Sequence, residues 1–197
     1  MTGDDTVRLM LLLIGLVFVP PALYYRLRSF TRERLDRWQE GAFILFGLRL
    51  TALVMFSGGM MWWINPAWMV WSSLSLPMWL RCVGLAVLVI GGSLIVWTFH
   101  NLGKNLTDTV VTRQEHSLVT SGPYRWVRHP FYLAGALGVL GVCLATANWF
   151  FAVAGAVVLT FLYSRTRIEE AKLVERFGDD YRNYMQRVGR FLPRLRS

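Results

Sequence analysis

Cysteine is almost missing from this 197-residue sequence: Cys82 and Cys143 are the only two, with no Cys-x-x-Cys pair and no Cys/His ligand spacing. That count argues against a disulfide framework or a structural zinc site. Both thiols lie in or beside apolar runs and read as small core residues. No βαβ alternation and no G-x-G-x-x-G turn occurs, which argues against a Rossmann-type nucleotide domain. Internal repeats, low-complexity linkers and any boundary to a second domain are missing too, so residues 1–197 read as one domain. Acidic residues are few, 12 against 21 Lys and Arg, and the stretch 64–78 contains no Lys or Arg. The N-terminus carries Asp4 and Asp5 where a signal peptide has its positive region, so the first apolar run is expected to be retained.

Apolar residues fill the space these absences leave. They make up 54% of the chain, with mean hydropathy +0.39, nine Trp and twelve Phe. Apolar runs at 7–25, 41–63, 79–99, 131–147 and 149–164 approach the roughly 20 residues that a bilayer-spanning helix needs. The expected fold is an all-α integral membrane protein with about five transmembrane helices. Pro20 and Pro21 should bend or end the first helix. The last two runs are short and meet at Asn148, as in a tight helical hairpin that tilts or thins the bilayer. Eighteen of the 21 basic residues follow spans one, three and five, which predicts an outside N-terminus and a cytoplasmic C-terminal part. The net charge of +9 therefore suits anionic headgroups better than nucleic acid. Residues 100–124 read as a polar connector with at most a short turn of helix. A helix over 165–177 capped by Gly178 and a short helix over 179–188 complete a cytoplasmic cap.

Chemistry concentrates where the connector meets the fourth run, in HSLVTSGPYRWVRHPFYLAG (116–135). Arg125, Arg128 and His129 cannot enter hydrocarbon cheaply and belong at the interface or in a water-accessible pocket. Tyr124, Trp126 and Tyr132 form an aromatic belt around them. Taken singly, His129 could be a helix-terminal residue and Arg128 a positive-inside anchor; their clustering favours a site. Beyond the fifth run, Glu169 and Glu170 project about 100° apart on a helix and cannot serve one partner equally. Glu170, read in register with Arg165, is assigned to the site, so that Glu170→Gln should cut turnover with little loss of fold. Tyr181 and Tyr184 read as packing residues. Arg49, in the middle of span two, should face the bundle interior or a cavity, either in a substrate site or in a structural ion pair. Arg8 and Arg81 lie near span ends and can snorkel.

GPYRWVRHPFY, followed across an apolar hairpin by RTRIEEAKLVERFGDDYRNYMQRVGRFLP, resembles the isoprenylcysteine carboxyl methyltransferase family and its phospholipid N-methyltransferase relatives. The resemblance covers about 103–193. It implies a membrane-embedded methyltransferase that uses S-adenosyl-L-methionine without a Rossmann domain. His116, Leu118, Val119, Gly122 and Tyr124 match the family's H-x-L-V-T-x-G-x-Y stretch, and Arg128, His129, Pro130 and Tyr132 match its R-H-P-x-Y core. With Glu169, these are the cofactor-binding residues the resemblance implies, and Arg165 and Glu170 are the catalytic ones. The chain departs from the pattern at Ala134, where the family has Gly; Gly135 follows. The implied acceptor is lipophilic and enters from the membrane, with the carboxylate of a prenylcysteine-like compound as the type substrate and Arg165 or Arg49 as its orienting cation. Amine or thiol acceptors are alternatives within the same fold. Outside it stand a sterol-type membrane reductase using a nicotinamide cofactor and a non-enzymatic scaffold.

Overall fold

The structure is a computed structural model that describes residues 3–29, 42–103 and 117–194. Among them the fold is all-α, with no strand beyond two isolated bridges, Ser73 with Asn148 and Val127 with Gly189. The helices are α1 (Gly3–Arg28), α2 (Ala42–Ile64), α3 (Met78–Leu102), α4 (Pro130–Thr146), α5 (Trp149–Phe177) and α6 (Asp179–Arg187). Short 3-10 helices form at Pro66–Ser72 and Gly122–Arg125. Helices α1, α2, α3 and α5 are each long and apolar enough to cross a membrane, whereas α4 is apolar but only 17 residues long. At 1.5 Å per residue α4 reaches about 26 Å, slightly less than a hydrocarbon core of about 30 Å. The protein is a multi-pass integral membrane protein.

The five long helices alternate in direction. At one end Arg8 of α1 donates to the Ile64 carbonyl that closes α2 (3.2 Å). Arg81, one turn into α3, joins Asp4 of α1 (2.7 Å) and the Ala145 carbonyl near the end of α4 (2.9 Å). Beneath these contacts Val7, Trp62, Met69, Ala145 and Phe151 form one buried apolar cluster. At the opposite end the Tyr25 hydroxyl and His100 Nδ1 lie 3.0 Å apart, tying α1 to α3. Helix α4 sits between α3 and α5, with α1 flanking α3 and α2 flanking α5.

Small residues set these distances, because hydrocarbon gives apolar side chains no reason to leave lipid for one another. A side chain at Gly84 would meet the Ala145 backbone nitrogen at 2.5 Å and the Gly141 carbonyl at 2.8 Å. A side chain at Gly141 would in turn meet Leu88 at 2.7 Å. Ala134 belongs to the same seam, since its carbonyl faces Gly91 of α3; the departure from the family pattern therefore falls on a packing face. On the other flank Phe161 and Phe150 of α5 occupy the space beside Gly47 and Gly58 of α2. The Pro66–Ser72 turn closes the first end. Its three-residue period turns Met69 and Ser72 inward, while Trp68 and Trp71 stay exposed. Asn148 fastens it by donating to the Met69 carbonyl (3.2 Å), and Leu74 N–H donates to the Ala147 carbonyl (2.6 Å).

Several expectations are corrected. Pro20 and Pro21 do not end α1, which runs through them to Arg28; membrane helices tolerate proline where neighbouring groups re-satisfy the backbone. The fifth span and the helix beginning at Arg165 are one helix, because the chain changes polarity after Ser164 without meeting a helix breaker. Helix α3 extends past His100 to Leu102 and stops at Gly103, whose φ of 51° suits glycine. Cys82 is exposed and Cys143 intermediate, so neither is a fully buried core residue.

The glycine seam gives a direct test. Gly84→Leu should destabilise the fold by about 1–3 kcal/mol through overpacking, whereas Gly15→Ala and Gly59→Ala, whose added carbons meet nothing within 4 Å, should shift thermal unfolding in detergent little.

Candidate active site

Pro130 begins α4, where its missing N–H is harmless and its fixed φ suits the first turn. The same ring forces the preceding residue out of the helical region, and His129 accordingly sits at φ −124°, ψ 63°. Residues 127–129 thus stay outside the helix, and they pair with the segment after α6. Arg128 N–H donates to the Gly189 carbonyl (2.9 Å) and His129 N–H to the Arg190 carbonyl (3.0 Å). Arg128 also reaches the Met185 and Val188 carbonyls through Nη1 (3.0 and 2.6 Å), supplying donors to the end of α6. Tyr184 donates its hydroxyl proton to the Tyr124 carbonyl (2.6 Å).

Glu170 is at the centre. Its Oε1 accepts from Arg128 Nε (3.0 Å) and His129 Nε2 (3.1 Å). Arg190 grips both oxygens, with Nε 3.2 Å from Oε1 and Nη2 on Oε2. Glu170 lies in the polar half of α5, past the apolar stretch that ends at Ser164, yet is only 4% exposed. Burial pushes its carboxyl up, but the hydrogen bonds from His129 and Arg190 and the charge of Arg128 outweigh burial and bring it to about 2. Glu169, one residue earlier, has a side chain 32% exposed. Its Oε2 accepts from the Tyr132 hydroxyl (2.8 Å) and lies 3.9 Å from His129 Nδ1. The His129 ring stacks on Tyr132 with centroids 5.3 Å apart and lies 5.8 Å from Phe191, which in turn neighbours Tyr163. Burial, then the charge of Glu169, pushes the Tyr124 phenol up; burial does the same to Tyr181 and Tyr184.

Arg128, His129, Pro130, Tyr132, Glu169 and Glu170 thus converge, with Tyr124 within electrostatic reach of Glu169. Leu118 packs against the buried Tyr181, Tyr184 and Val188 cluster of α6, confirming the two tyrosines as packing residues. Val119 is half-buried nearby in sequence. Gly122 adopts φ 59° with the Asn101 side chain against it. His116 lies outside the described residues. Two assignments change. Arg165 stands in register with Glu169, four residues on, and not with Glu170, which is five residues and about 140° away. Arg49 is exposed on α2 and enters no interior pair with a described residue. The contacts of Gly47 with Phe161 and Gly58 with Phe150 place Arg49 level with about residue 159 of α5, roughly 15 Å of helix rise from Glu169. Arg190 and Phe191 were not anticipated; the one signal for them is an arginine and a phenylalanine held between Gly189 and Pro193.

The sequence pattern of the phospholipid methyltransferase family matches residues 79–180, from the start of α3 into α6. The chain belongs to that family. Among the family's curated proteins it is similar to protein-S-isoprenylcysteine O-methyltransferase of Mus musculus, at 33% identity over 130 residues, 64% of this chain and 46% of the relative. The Saccharomyces cerevisiae enzyme of the same name is 32% identical over 114 residues, 56% of this chain and 48% of its own. Among solved structures, the eukaryotic intramembrane Ras methyltransferase isoprenylcysteine carboxyl methyltransferase matches 74% of this chain and 51% of its own at 28% identity, with a TM-score of 0.55. The chain spans about half the length of these relatives.

The geometry separates the two glutamates. Glu170→Gln leaves the largely buried Arg128 and the half-buried Arg190 short of their counter-charge and should destabilise the fold by about 3 kcal/mol, correcting the expectation of a mild structural effect; Glu169→Gln should alter stability little. Because Glu170 has its folded-state value lowered from 4.5 to about 2, its stabilisation is present above pH 4.5 and lost as pH falls toward 2. Thermal unfolding across that window should show this acid-side loss in the wild type and a smaller one in Glu170→Gln.

Proposed function

We propose that this chain is an S-adenosyl-L-methionine-dependent methyltransferase that methylates the carboxylate of a lipophilic, prenylcysteine-like acceptor. The observation that carries this reading is the 33% identity to protein-S-isoprenylcysteine O-methyltransferase over 130 residues. The family's general alternative, a phospholipid amine, calls for a base that takes a proton at the acceptor; an O-methyl acceptor that is already an anion needs none.

The residues present suit the cofactor. A sulfonium cation favours aromatic faces, and His129, Tyr132, Phe191 and Tyr163 supply a continuous set of rings. A ribose diol or ammonium group favours a partly exposed carboxylate, and Glu169 offers one held in place by Tyr132. The bound cofactor supplies a methyl group for in-line displacement by the acceptor oxygen. The protein's contribution is to fix both partners at roughly 3 to 3.5 Å and to exclude water. Arg165, one turn before Glu169, is the cation in position to orient an acceptor carboxylate. Glu170 serves the site by holding Arg128 and His129, and Arg49 stands too far along α2 to share that role.

The acceptor reaches the site through the membrane in this reading, since each methylene withdrawn from hydrocarbon costs about 0.8 kcal/mol. The basic residues that follow α1, α3 and the apolar part of α5 set the orientation, with the N-terminus outside and the site facing the cytoplasm.

Two measurements test this. In detergent, S-adenosylhomocysteine should give a calorimetric binding signal and NADPH none. Turnover with labelled S-adenosyl-L-methionine should rise with acceptor tail length, and a preference for small water-soluble acceptors would overturn the lipophilic reading. For orientation, cysteine labelling in sealed vesicles should place positions 4 and 194 on opposite sides. Labelling from one side would refute an odd number of crossings.

A further inference from the structure

Arg190 lies outside the stretch that matches the family pattern, yet it is the residue most fully committed to Glu170. Its guanidinium grips both carboxylate oxygens, while its own backbone carbonyl accepts from His129 N–H (3.0 Å). It therefore touches the histidine from one side and the histidine's partner from the other. Gly189 makes this possible: its carbonyl takes Arg128 N–H, and any side chain there would collide with the Leu192 carbonyl.

The consequence concerns protons. An ionised carboxylate is acceptor-only, and Glu170 Oε1 lies 3.1 Å from His129 Nε2. Nε2 must therefore carry a proton whether the ring is neutral or charged. Any proton that comes or goes does so at Nδ1, which lies 3.9 Å from Glu169 Oε2, the oxygen that accepts from the Tyr132 hydroxyl. We propose that Arg190 is a positioning residue that, through Glu170, holds His129 in the Nε2–H form and so presents Nδ1 as the one exchangeable edge toward the Glu169 side of the site. Without Arg190 the carboxylate keeps Arg128 and His129 as partners but loses the guanidinium that fixes the direction of both oxygens. Glu170 can then turn, and the imidazole loses its single hydrogen-bonding arrangement. Arg128 is then the one arginine left on the Glu170 carboxylate among the described residues. This deepens the methyltransferase reading, because Nδ1 is the edge that a cofactor or acceptor donor would meet beside Glu169.

The test is nitrogen NMR of histidine-labelled full-length protein in detergent, with His129 assigned by its loss in His129→Gln. The wild type should show Nε2 protonated throughout a pH titration, with only Nδ1 responding. Arg190→Ala should give mixed tautomers, and Arg190→Lys, which retains a cation but not the fork, should fall between. S-adenosylhomocysteine binding should weaken about tenfold in Arg190→Ala, the size expected when a hydrogen bond to a charged group is lost. If Arg190→Ala does not fold, Arg190→Lys and Arg190→Gln carry the comparison. An unchanged Nε2–H signature in the folded variants, or a wild type already mixed, would overturn the proposal. The histidine signal needs no ligand. A wild type with the expected tautomer that binds no S-adenosylhomocysteine would sink the methyltransferase reading and leave the positioning role standing.

Discussion

A single carboxylate joins three segments that the chain delivers from different directions. Glu170 comes from α5, Arg128 and His129 from the approach to α4, and Arg190 from the strap after α6. Burying a charge is expensive unless it is paired and hydrogen-bonded, and here both carboxylate oxygens have donors, Oε1 from Arg128, His129 and Arg190 and Oε2 from Arg190. Removing one partner leaves the remaining buried charges less completely paired, which couples the three segments to one another. At the polar end of the described residues the apolar packing is the Tyr181, Tyr184 and Val188 cluster, which is tied to the rest by Arg128 on the carbonyls of Met185 and Val188 and by Tyr184 on the Tyr124 carbonyl.

How much of this could be read beforehand depends on the range of the interaction. Helix existence is local: five apolar runs give five long helices, and α6 falls where Gly178 and Gly189 bracket it. Continuity was harder to read, since α5 changes from apolar to charged at Arg165 while its backbone hydrogen bonding goes on unchanged. The convergence of R-H-P-x-Y with a pair of acidic residues was legible from the residue types. Which glutamate turned which way was not, because that depends on Arg190, twenty residues further on, where no periodicity links the two. Arg49 is the converse case: an arginine in an apolar run invites a placement toward the bundle interior or a cavity, and it stands exposed on α2, whose helix packing among the described residues is chiefly against α5.

The membrane part is held by shape where the polar part is held by charge. Gly84, Gly91 and Gly141 let α3 and α4 approach backbone to backbone, and the phenyl rings of α5 take the room left by Gly47 and Gly58 on α2. Dispersion forces at such short range are individually small and collectively large. They also fix rotation about each helix axis, which is how Tyr132 comes to face Glu169 across the α4 and α5 boundary.

Because α5 is uninterrupted from Trp149 to Phe177, its lipid-embedded half and its carboxylate-bearing half behave as one lever. A bilayer of different thickness asks a helix to tilt, and a tilt at the Trp149 end is delivered as a sideways displacement at Glu169 and Glu170. Helix α4 is pinned to the far end of that lever through Glu170 and must follow it. Helix α2 is fastened to α5 along one side and to the first end through Trp62, so it is carried with the lever along that flank.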